Sequence, residues 1–161
     1  MARDASWDSA FGAVLFRRAH EPPRLKVAGF DLDMTLLRWN CGGKPYPSVL
    51  DDYELWSERV PERMRALHAD GYKIVIFANR AGVQGAFTGK NAIKVKKLVE
   101  WIAHVTRVPL HAVSATRKPP HAGEQYHKPQ PGLWGAMEQT TNEHVAVDPA
   151  SSFYVGANAG R

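Results

Sequence analysis

Lys26-Val27-Ala28-Gly29-Phe30-Asp31-Leu32-Asp33-Met34-Thr35-Leu36-Leu37 is the stretch that decides the predicted fold. Its Val27–Phe30 segment is apolar without a helical period, which is typical of a buried parallel strand. Open α/β sheets bind ligands at the carboxyl ends of their strands, and Asp31 and Asp33 follow this strand directly. The stretch therefore predicts an α/β sheet with a reactive site built on two carboxylates.

Two aspartates separated by one residue are able to divide the work of phosphoryl transfer. Asp31 is predicted to attack phosphorus and to bind a metal ion. Asp33 is predicted to protonate the leaving oxygen, to activate water later, and to give its backbone carbonyl to the metal. Mg²⁺ is the expected ion, because carboxylates alone would repel an anionic phosphoryl group. Thr35 is predicted to brace the loop beside the substrate. A solvated acidic turn is the alternative interpretation.

The bulk properties limit the possible classes. At 161 residues and 44% hydrophobic residues, the chain fits one domain, 1–161. It has no apolar run of about 18 residues and no signal-peptide core, so an intracellular protein without a membrane span is expected. A single cysteine, Cys41, excludes an intrachain disulfide. The net charge of +5 favours a polyanionic partner such as nucleic acid.

The rest of the chain alternates between strand and helix patterns. Further strands are predicted at 72–78, 110–115 and 152–155, helices at 56–69, 91–105 and 132–139, loops at 41–48 and 116–127, and an N-terminal strand or arm within 1–25. This order predicts a doubly wound, mostly parallel α/β sheet. The lysines of the second helix are interpreted as a solvated face rather than a phosphate-binding ridge; they are Lys90, Lys94, Lys96 and Lys97.

Three other residues are candidates for the same site. Asn79 and Arg80 end the second predicted strand, where the Asn79 amide could donate to a phosphoryl oxygen and Arg80 could bind the substrate. A turn or helix cap is the alternative for Asn79. Lys128 could keep Asp31 ionised and stabilise the phosphoryl oxygens, the alternative being an exposed loop lysine. The scattered histidines, His121, His127 and His144, are interpreted as surface or core residues rather than metal ligands.

The order of Asp31-x-Asp33-x-Thr35, Asn79, Lys128 and the glycine-rich end of the last strand matches the four motifs of the haloacid dehalogenase superfamily. Within it, the chain resembles the polynucleotide 3′-phosphatase family over nearly the whole chain, above all in residues 26–33, 62–77, 128–134 and 152–161. The resemblance implies a haloacid dehalogenase-like (Rossmann-like) fold without a large cap domain. It also implies a monomer that uses Mg²⁺ to remove 3′-phosphates from DNA ends through an aspartyl-phosphate. A role in strand-break repair, and hence a nuclear location, would follow.

The chain departs from the family pattern at three positions. Met34 replaces a common glycine, Ala78 stands where the family has a threonine, and Ala157 aligns with the aspartate that usually binds Mg²⁺. The family's domain also continues beyond Arg161, so a domain truncated at its C-terminus is expected. These departures keep open a non-catalytic module that binds DNA ends. A small-molecule phosphatase of the same superfamily is a third hypothesis, and the lack of a capping domain speaks against it.

Overall fold

A computed structural model describes residues 5–39, 50–83, 87–117, 120 and 122–157. The strands are β1 (Ala5–Ala10), β2 (Val14–Ala19), β3 (Val27–Phe30), β4 (Leu37–Trp39), β5 (Tyr53–Leu55), β6 (Lys73–Asn79), β7 (Leu110–Ala115) and β8 (Phe153–Val155). The helices are α1 (Val60–Ala69), α2 (Lys90–Thr106) and α3 (Gly132–Gln139), with short 3₁₀ turns at Leu50–Asp52, Glu124–Tyr126 and Pro149–Ser151. The predicted loop 41–48 lies outside the described residues. No helix in the described part of the chain is long and apolar enough to cross a membrane.

The main sheet has the strand order β1-β2-β7-β6-β3-β8. Strands β7, β6, β3 and β8 are parallel to one another, whereas β2 pairs with both β1 and β7 in antiparallel fashion. The predicted mostly parallel α/β sheet is therefore confirmed. The chain runs outward from β3 to β6 and β7, and then crosses back to β8 on the other side of β3. Ligands bind open sheets at such reversals of strand order, so β3 is at the position expected of a site.

Both faces of the sheet are covered, as in a doubly wound fold. Alternate residues of the parallel strands point to opposite faces. Those of one face pack with α1 and α2; they include Ala28, Phe30, Ile74, Ile76, Leu110 and Ala112. Those of the other face pack with α3; they include Val27, Val75, Phe77, Val113 and Ala115. Burial on both faces explains why these strands have continuous apolar sequences.

The N-terminal region forms a β-hairpin rather than a single strand or arm. Strand β1 is half-exposed at the sheet edge, and β2 carries the hairpin onto β7. Glu100 of α2 anchors both strands, because its Oε1 accepts from Trp7 Nε1 at 2.8 Å and lies 2.7 Å from Arg17 Nε. The hairpin therefore extends the parallel sheet and is held against α2.

Four elements have bounds that differ from the sequence prediction, of which α2 and β8 differ by one residue at one or both ends. Helix α1 begins at Val60 rather than near residue 56, because Pro61 favours the first turn of a helix. Strand β6 covers Lys73–Asn79 rather than 72–78. The shift makes Asn79 the last residue of β6, paired with Ala115 at the end of β7. The side chain of Asn79 is thus at the same edge of the sheet as the loop after β3.

Candidate active site

The loop after β3 is held by backbone hydrogen bonds. The amide of Asp31 donates to Val155 O at 2.9 Å, so the pairing of β3 with β8 continues into the site. The amides of Leu36 and Leu37 both donate to Leu32 O at 3.1 Å, which closes a tight turn around Asp33. Asp31 Oδ1 in turn accepts from the amide of Leu32 at 2.8 Å. The loop therefore fixes both carboxylates at the carboxyl end of β3.

Met34 occupies the conformation that makes glycine common at this position. Its φ angle is 59°, in the left-handed region where side chains are disfavoured. Its amide donates to Leu37 O at 2.7 Å, so the turn forms in spite of the side chain. This departure from the family pattern is compatible with the loop that holds the carboxylates.

Lys128 contacts Asp31 directly. Its Nζ lies 3.0 Å from Asp31 Oδ1, donates to Phe77 O at 2.7 Å and donates to the Tyr154 hydroxyl at 3.0 Å. These three acceptors match the three protons of an ammonium group. The side chain is only 21% exposed, so the alternative of an exposed loop lysine does not describe it. The arrangement places a fixed positive charge beside the proposed nucleophile.

Asn79 holds the backbone of Lys128 in place. Its Oδ1 accepts from the Lys128 amide at 2.8 Å, and its Nδ2 donates to the Lys128 carbonyl at 3.1 Å. This reciprocal pair differs from the turn or helix cap considered for Asn79. The Asn79 Nδ2 group has two protons, so a contact of this amide with a phosphoryl oxygen stays a prediction. Asn79 is thus a positioning residue for Lys128.

Asp33 lies in a more buried environment than Asp31. Burial raises the pKa of its carboxyl, and the nearby Asp31 charge adds to this effect, although the Arg80 guanidinium opposes both. Arg80 Nη2 lies 2.7 Å from Asp33 Oδ2, so Arg80 contacts the second aspartate. Asp33 Oδ1 is buried and has no hydrogen-bond partner among the described residues. The site thus favours a protonated Asp33 more than water does.

The hydroxyl of Thr35 does not form the predicted brace within the described part of the chain. Its Oγ1 is buried and lacks a hydrogen-bond partner among those residues. Backbone bonds hold the loop instead, including the two to Leu32 O. A contact of Thr35 with the substrate stays a prediction.

Tyr154 is a site residue that the sequence analysis missed. Its ring packs edge-on against Phe77 at 6.1 Å, and its hydroxyl contacts Lys128. A side chain at Gly29 would contact the Tyr154 ring at 3.2 Å, and one at Gly156 would contact it at 2.9 Å. Burial raises the pKa of the phenol, which keeps it neutral as an acceptor for Lys128. Gly29 on β3 and Gly156 just after β8 were the signal that a large side chain packs close to their backbone.

Lys94 also belongs to the neighbourhood of the site. Its Nζ lies 5.9 Å from the Tyr53 ring centre. Burial and the Arg80 charge lower the pKa of Lys94, whereas the Asp33 charge raises it. Lys94 and Lys96 are half-buried, whereas Lys90 and Lys97 on the same helix are exposed as predicted. The helical pattern alone does not show which lysine turns toward the strand ends.

Lys94 lines a cavity of about 650 Å³ next to the aspartates. The lining residues are Asn79, Arg80, Ala81, Gly82, Val83, Asn91, Lys94, Val95 and His127. His127 was interpreted as a surface or core residue, and its Nε2 lies 3.4 Å from Asn79 Nδ2. The cavity thus begins at the same Asn79 that positions Lys128.

The carboxylates fit a magnesium ion held partly by other ligands. Among the described residues, no three His, Cys, Asp or Glu side chains cluster as a metal site. Ala157, two residues beyond β8, is exposed and has no side-chain oxygen. Mg²⁺ is nevertheless commonly bound by one or two carboxylates together with water and substrate phosphate. The Asp31 carboxylate and, as predicted, the backbone carbonyl of Asp33 would offer such hard oxygen donors, and the Asp33 carboxyl could then still carry a proton.

A solved structure shares this fold. It is the crystal structure of a Mesorhizobium loti protein described as a HAD-like phosphatase, where HAD stands for haloacid dehalogenase. The match has a TM-score of 0.68 at 18% identity, and it covers 94% of this chain and 73% of that one. The chain therefore has the fold of a HAD-like phosphatase.

Comparison of the sequence with known families identifies the family to which the chain belongs within this fold class. A family model described as polynucleotide kinase 3 phosphatase matches residues 26–161. The chain belongs to this polynucleotide kinase 3 phosphatase family.

Three curated relatives differ in how much of their length the chain covers. Polynucleotide 3′-phosphatase ZDP of Arabidopsis thaliana is 32% identical over 146 residues, which make up 84% of this chain and 20% of that protein. An uncharacterised 20.8 kDa protein of Autographa californica nuclear polyhedrosis virus is 33% identical over 141 residues, or 86% and 69% of the two chains. The bifunctional polynucleotide phosphatase/kinase of Schizosaccharomyces pombe is 27% identical over 136 residues, or 84% and 31%. The chain thus spans about a fifth and a third of the two relatives with named activities.

Proposed function

We propose that this chain is a polynucleotide 3′-phosphatase that forms a phosphoryl-enzyme intermediate on Asp31. One observation carries the proposal: Lys128 Nζ lies 3.0 Å from Asp31 Oδ1 at the carboxyl end of β3. The buried Asp33 stands beside this pair. Family membership supports a polynucleotide as the substrate.

In the first step, an Asp31 carboxylate oxygen attacks phosphorus and forms a new P–O bond. The described contacts of this carboxylate use Oδ1, so Oδ2 is the proposed attacking oxygen. The bond from phosphorus to the 3′ oxygen breaks, and its electron pair stays on that oxygen. Asp33 gives the leaving oxygen its proton, which agrees with a raised pKa of the Asp33 carboxyl.

In the second step, water attacks the phosphorus of the aspartyl-phosphate. Asp33, now a carboxylate, takes a proton from this water. The P–O bond to Asp31 breaks, inorganic phosphate leaves, and both aspartates return to their starting states. Lys128 stabilises the charge of the phosphoryl oxygens through both steps, because its ammonium group is already oriented toward Asp31.

Mg²⁺ is the proposed cofactor, with Asp31 and Asp33 as its protein ligands. When bound, it would neutralise charge between the carboxylates and the phosphoryl group. We propose DNA 3′ ends as the substrate and strand-break repair as the context. The net charge of +5 is consistent with a polyanionic substrate. A nuclear location and a monomeric state stay predictions from the family resemblance.

A second candidate function is a module that binds DNA ends without catalysis. Two alanines favour it: Ala157 at the position of the usual metal-binding aspartate, and Ala78 just before Asn79. Ala78 is buried in β6 and has no hydroxyl with which to contact phosphate. This module would bind oligonucleotides with little dependence on Mg²⁺.

Phosphate release from a 3′-phosphorylated duplex, with and without Mg²⁺, separates the two candidates. We expect Mg²⁺-dependent release by the wild type and a loss of at least about 10³-fold in Asp31→Asn, since the nucleophile is removed. Asp70→Asn makes the same chemical change at an exposed helix end and should keep full activity. Undiminished release by Asp31→Asn would exclude the mechanism. Release that appears only in Ala157→Asp would instead favour the binding module.

A further inference from the structure

The turn of the N-terminal hairpin lies at the same edge of the sheet as the candidate active site. Val14, the first residue of β2, pairs with Ala115 at the end of β7, and Ala115 pairs with Asn79 at the end of β6. Residues 11–13, which connect β1 to β2, are therefore at the carboxyl edge of the parallel strands. These three residues are called the hairpin tip below.

The hairpin tip packs on the segment that follows β7. Ala13 O accepts from the Thr116 amide at 2.9 Å and from the Thr116 hydroxyl at 2.8 Å. A Cβ atom at Gly123 would lie 2.6 Å from Ala13 Cβ, so the backbone of Gly123 contacts the tip without room for a side chain. The tip thus contacts this segment both where it leaves β7 and just before the 3₁₀ turn Glu124–Tyr126.

Phe11 makes the contact of the tip that is nearest to Lys128. Its ring stacks on the ring of Tyr126, with the ring centres 5.7 Å apart and the ring planes at 17°. Tyr126 is the last residue of the 3₁₀ turn, and the His127 amide donates to Glu124 O at 2.9 Å. Hydrogen bonding of the turn therefore continues up to the residue before Lys128.

The backbone of Phe11 indicates that the side chain has a role. Its φ angle is 56°, in the left-handed region that favours glycine and disfavours a large side chain. The side chain is 49% exposed, so burial in the core does not explain a phenylalanine here. Strained residues of this kind persist where the surrounding structure uses them. The stack on Tyr126 is such a use.

We propose that Phe11 is a positioning residue, and that the hairpin tip holds Lys128 against Asp31 through the stack on Tyr126. Asn79 fixes the backbone of Lys128 itself, whereas Phe11 fixes the turn that precedes it. The consequence for catalysis rests on the proposed function, in which Lys128 stabilises the phosphoryl oxygens. A charge that is already in place needs no reorganisation during the reaction.

The first test is hydrogen exchange, which does not depend on phosphatase activity. The Lys128 amide donates to Asn79 Oδ1, so its exchange reports opening of this segment. We expect Phe11→Gly to speed this exchange about fivefold, the equilibrium equivalent of one stacked aromatic pair. The amides of β3 should keep their rates, because glycine suits the φ of this position and preserves the hairpin. Phe11→Tyr keeps the ring and should keep the wild-type rate at Lys128.

Two results of this test would overturn the proposal. One is an unchanged exchange rate of the Lys128 amide in Phe11→Gly. The other is an equal acceleration at Lys128 and throughout β3, which would show that the ring only stabilises the fold.

The second test asks whether Phe11 acts through Lys128. Phe11→Gly should lower kcat about tenfold, because a small displacement of a catalytic group loses much of its effect. Trp101→Ala removes an exposed aromatic side chain from α2 and should leave kcat unchanged. In a Lys128→Met background, Phe11→Gly should have no further effect on kcat, since the group that it positions is gone. A tenfold loss in both backgrounds would contradict the proposal.

The two tests separate failure of this proposal from failure of the proposed function. Faster exchange at Lys128 in Phe11→Gly, together with a wild-type chain that releases no phosphate, would keep the positioning contact and reject the catalytic proposal. Unchanged exchange in an active enzyme would reject the positioning role of Phe11 alone.

Discussion

The two edges of the sheet both carry buried charged groups, yet they differ in how these groups are paired. At the carboxyl edge, Asp33 Oδ1 and Thr35 Oγ1 are buried without hydrogen-bond partners among the described residues. At the opposite edge, Glu21, Lys73 and His111 are buried and contact one another. The comparison separates a region whose buried polar atoms lack partners, as expected of a ligand site, from a region whose buried groups are paired within the folded chain.

The opposite edge is a closed network around Glu21. Glu21 Oε1 lies 2.9 Å from His111 Nε2 and 3.7 Å from Lys73 Nζ, while Oε2 lies 2.9 Å from His68 Nε2. Lys73 is fully buried and also donates to Thr141 O at 2.9 Å. The network joins the segment before β3 to β6, β7 and the segment after α3, so it serves stability.

The pKa shifts of this network show the same balance. Burial raises the pKa of Glu21, but the hydrogen bonds with His111 and His68 and the nearby charges outweigh it and bring the pKa to about 2. Burial lowers the pKa of Lys73 to about 8 and that of His111 to about 4. At neutral pH the network is thus an ionised Glu21–Lys73 pair beside a neutral His111. Burial outweighs the Glu21 contact at His111 and leaves it neutral, whereas Glu21 and Lys73 keep their charges because each is attracted by the other.

The largest expected effect is on stability, from Glu21→Gln. This change leaves the fully buried Lys73 ammonium without a carboxylate, which costs about 3–5 kcal/mol of unfolding free energy. Urea unfolding measures it. Phosphatase activity per folded molecule should stay unchanged well below the melting temperature, because this edge is remote from Asp31. Glu62→Gln, an exposed change of the same type on α1, should cost less than about 0.5 kcal/mol. Equal losses in the two variants would contradict the comparison.

At the carboxyl edge, Lys128→Met should lower activity strongly and stability only slightly, the reverse of Glu21→Gln. Loss of a preoriented charge beside the reacting group is expected to lower kcat about 10²–10³-fold. The unfolding free energy should change by no more than about 1 kcal/mol, because Asp31 and Lys128 are both partly exposed. Steady-state kinetics and urea unfolding of the same sample give both values. A variant that loses stability and activity in parallel would show that the two edges do not differ as described.

Arg80→Met has the smallest expected effect and concerns the pH profile. The Arg80 guanidinium lowers the pKa of Asp33 against the larger effect of burial. Its removal therefore raises that pKa further, so Asp33 keeps its acidic proton to higher pH. The alkaline limb of the kcat profile should move to higher pH, and Arg80→Lys should return it toward the wild-type position. Movement to lower pH would show that Asp33 is not the acid.

Much of the parallel sheet was predictable, because local sequence determines buried strands. Val27–Phe30, Leu110–Ala115 and α3 have the predicted bounds. The hairpin was not predictable in the same way. Its first strand is half-exposed and contains few apolar residues, and its second strand pairs with β7, which is distant in sequence. The sequence analysis did not predict β4 and β5, because strands of three residues are too short to show an alternation of apolar and polar residues.

In the candidate site, too, the positions of residues were predictable but their side-chain contacts were not. Asp31, Asp33, Asn79 and Lys128 were found because each follows or precedes a recognisable element, and parallel strands bring their ends together. Their pairing was not predictable, since Asn79 holds a backbone and Arg80 contacts Asp33. Such contacts depend on side-chain directions within the folded site. The metal ligands, the cofactor and the DNA substrate stay predictions.

The anchoring of the hairpin to Glu100 has a mechanical consequence. Glu100 lies about 9 Å further along α2 than Lys94, and the helix between them is a stiff rod. Trp7 and Arg17 hold one part of this rod. Lys94 lies in the wall of the cavity. Part of the rigidity of this wall thus comes from β1 and β2, at the sheet edge farthest from β3 and β8.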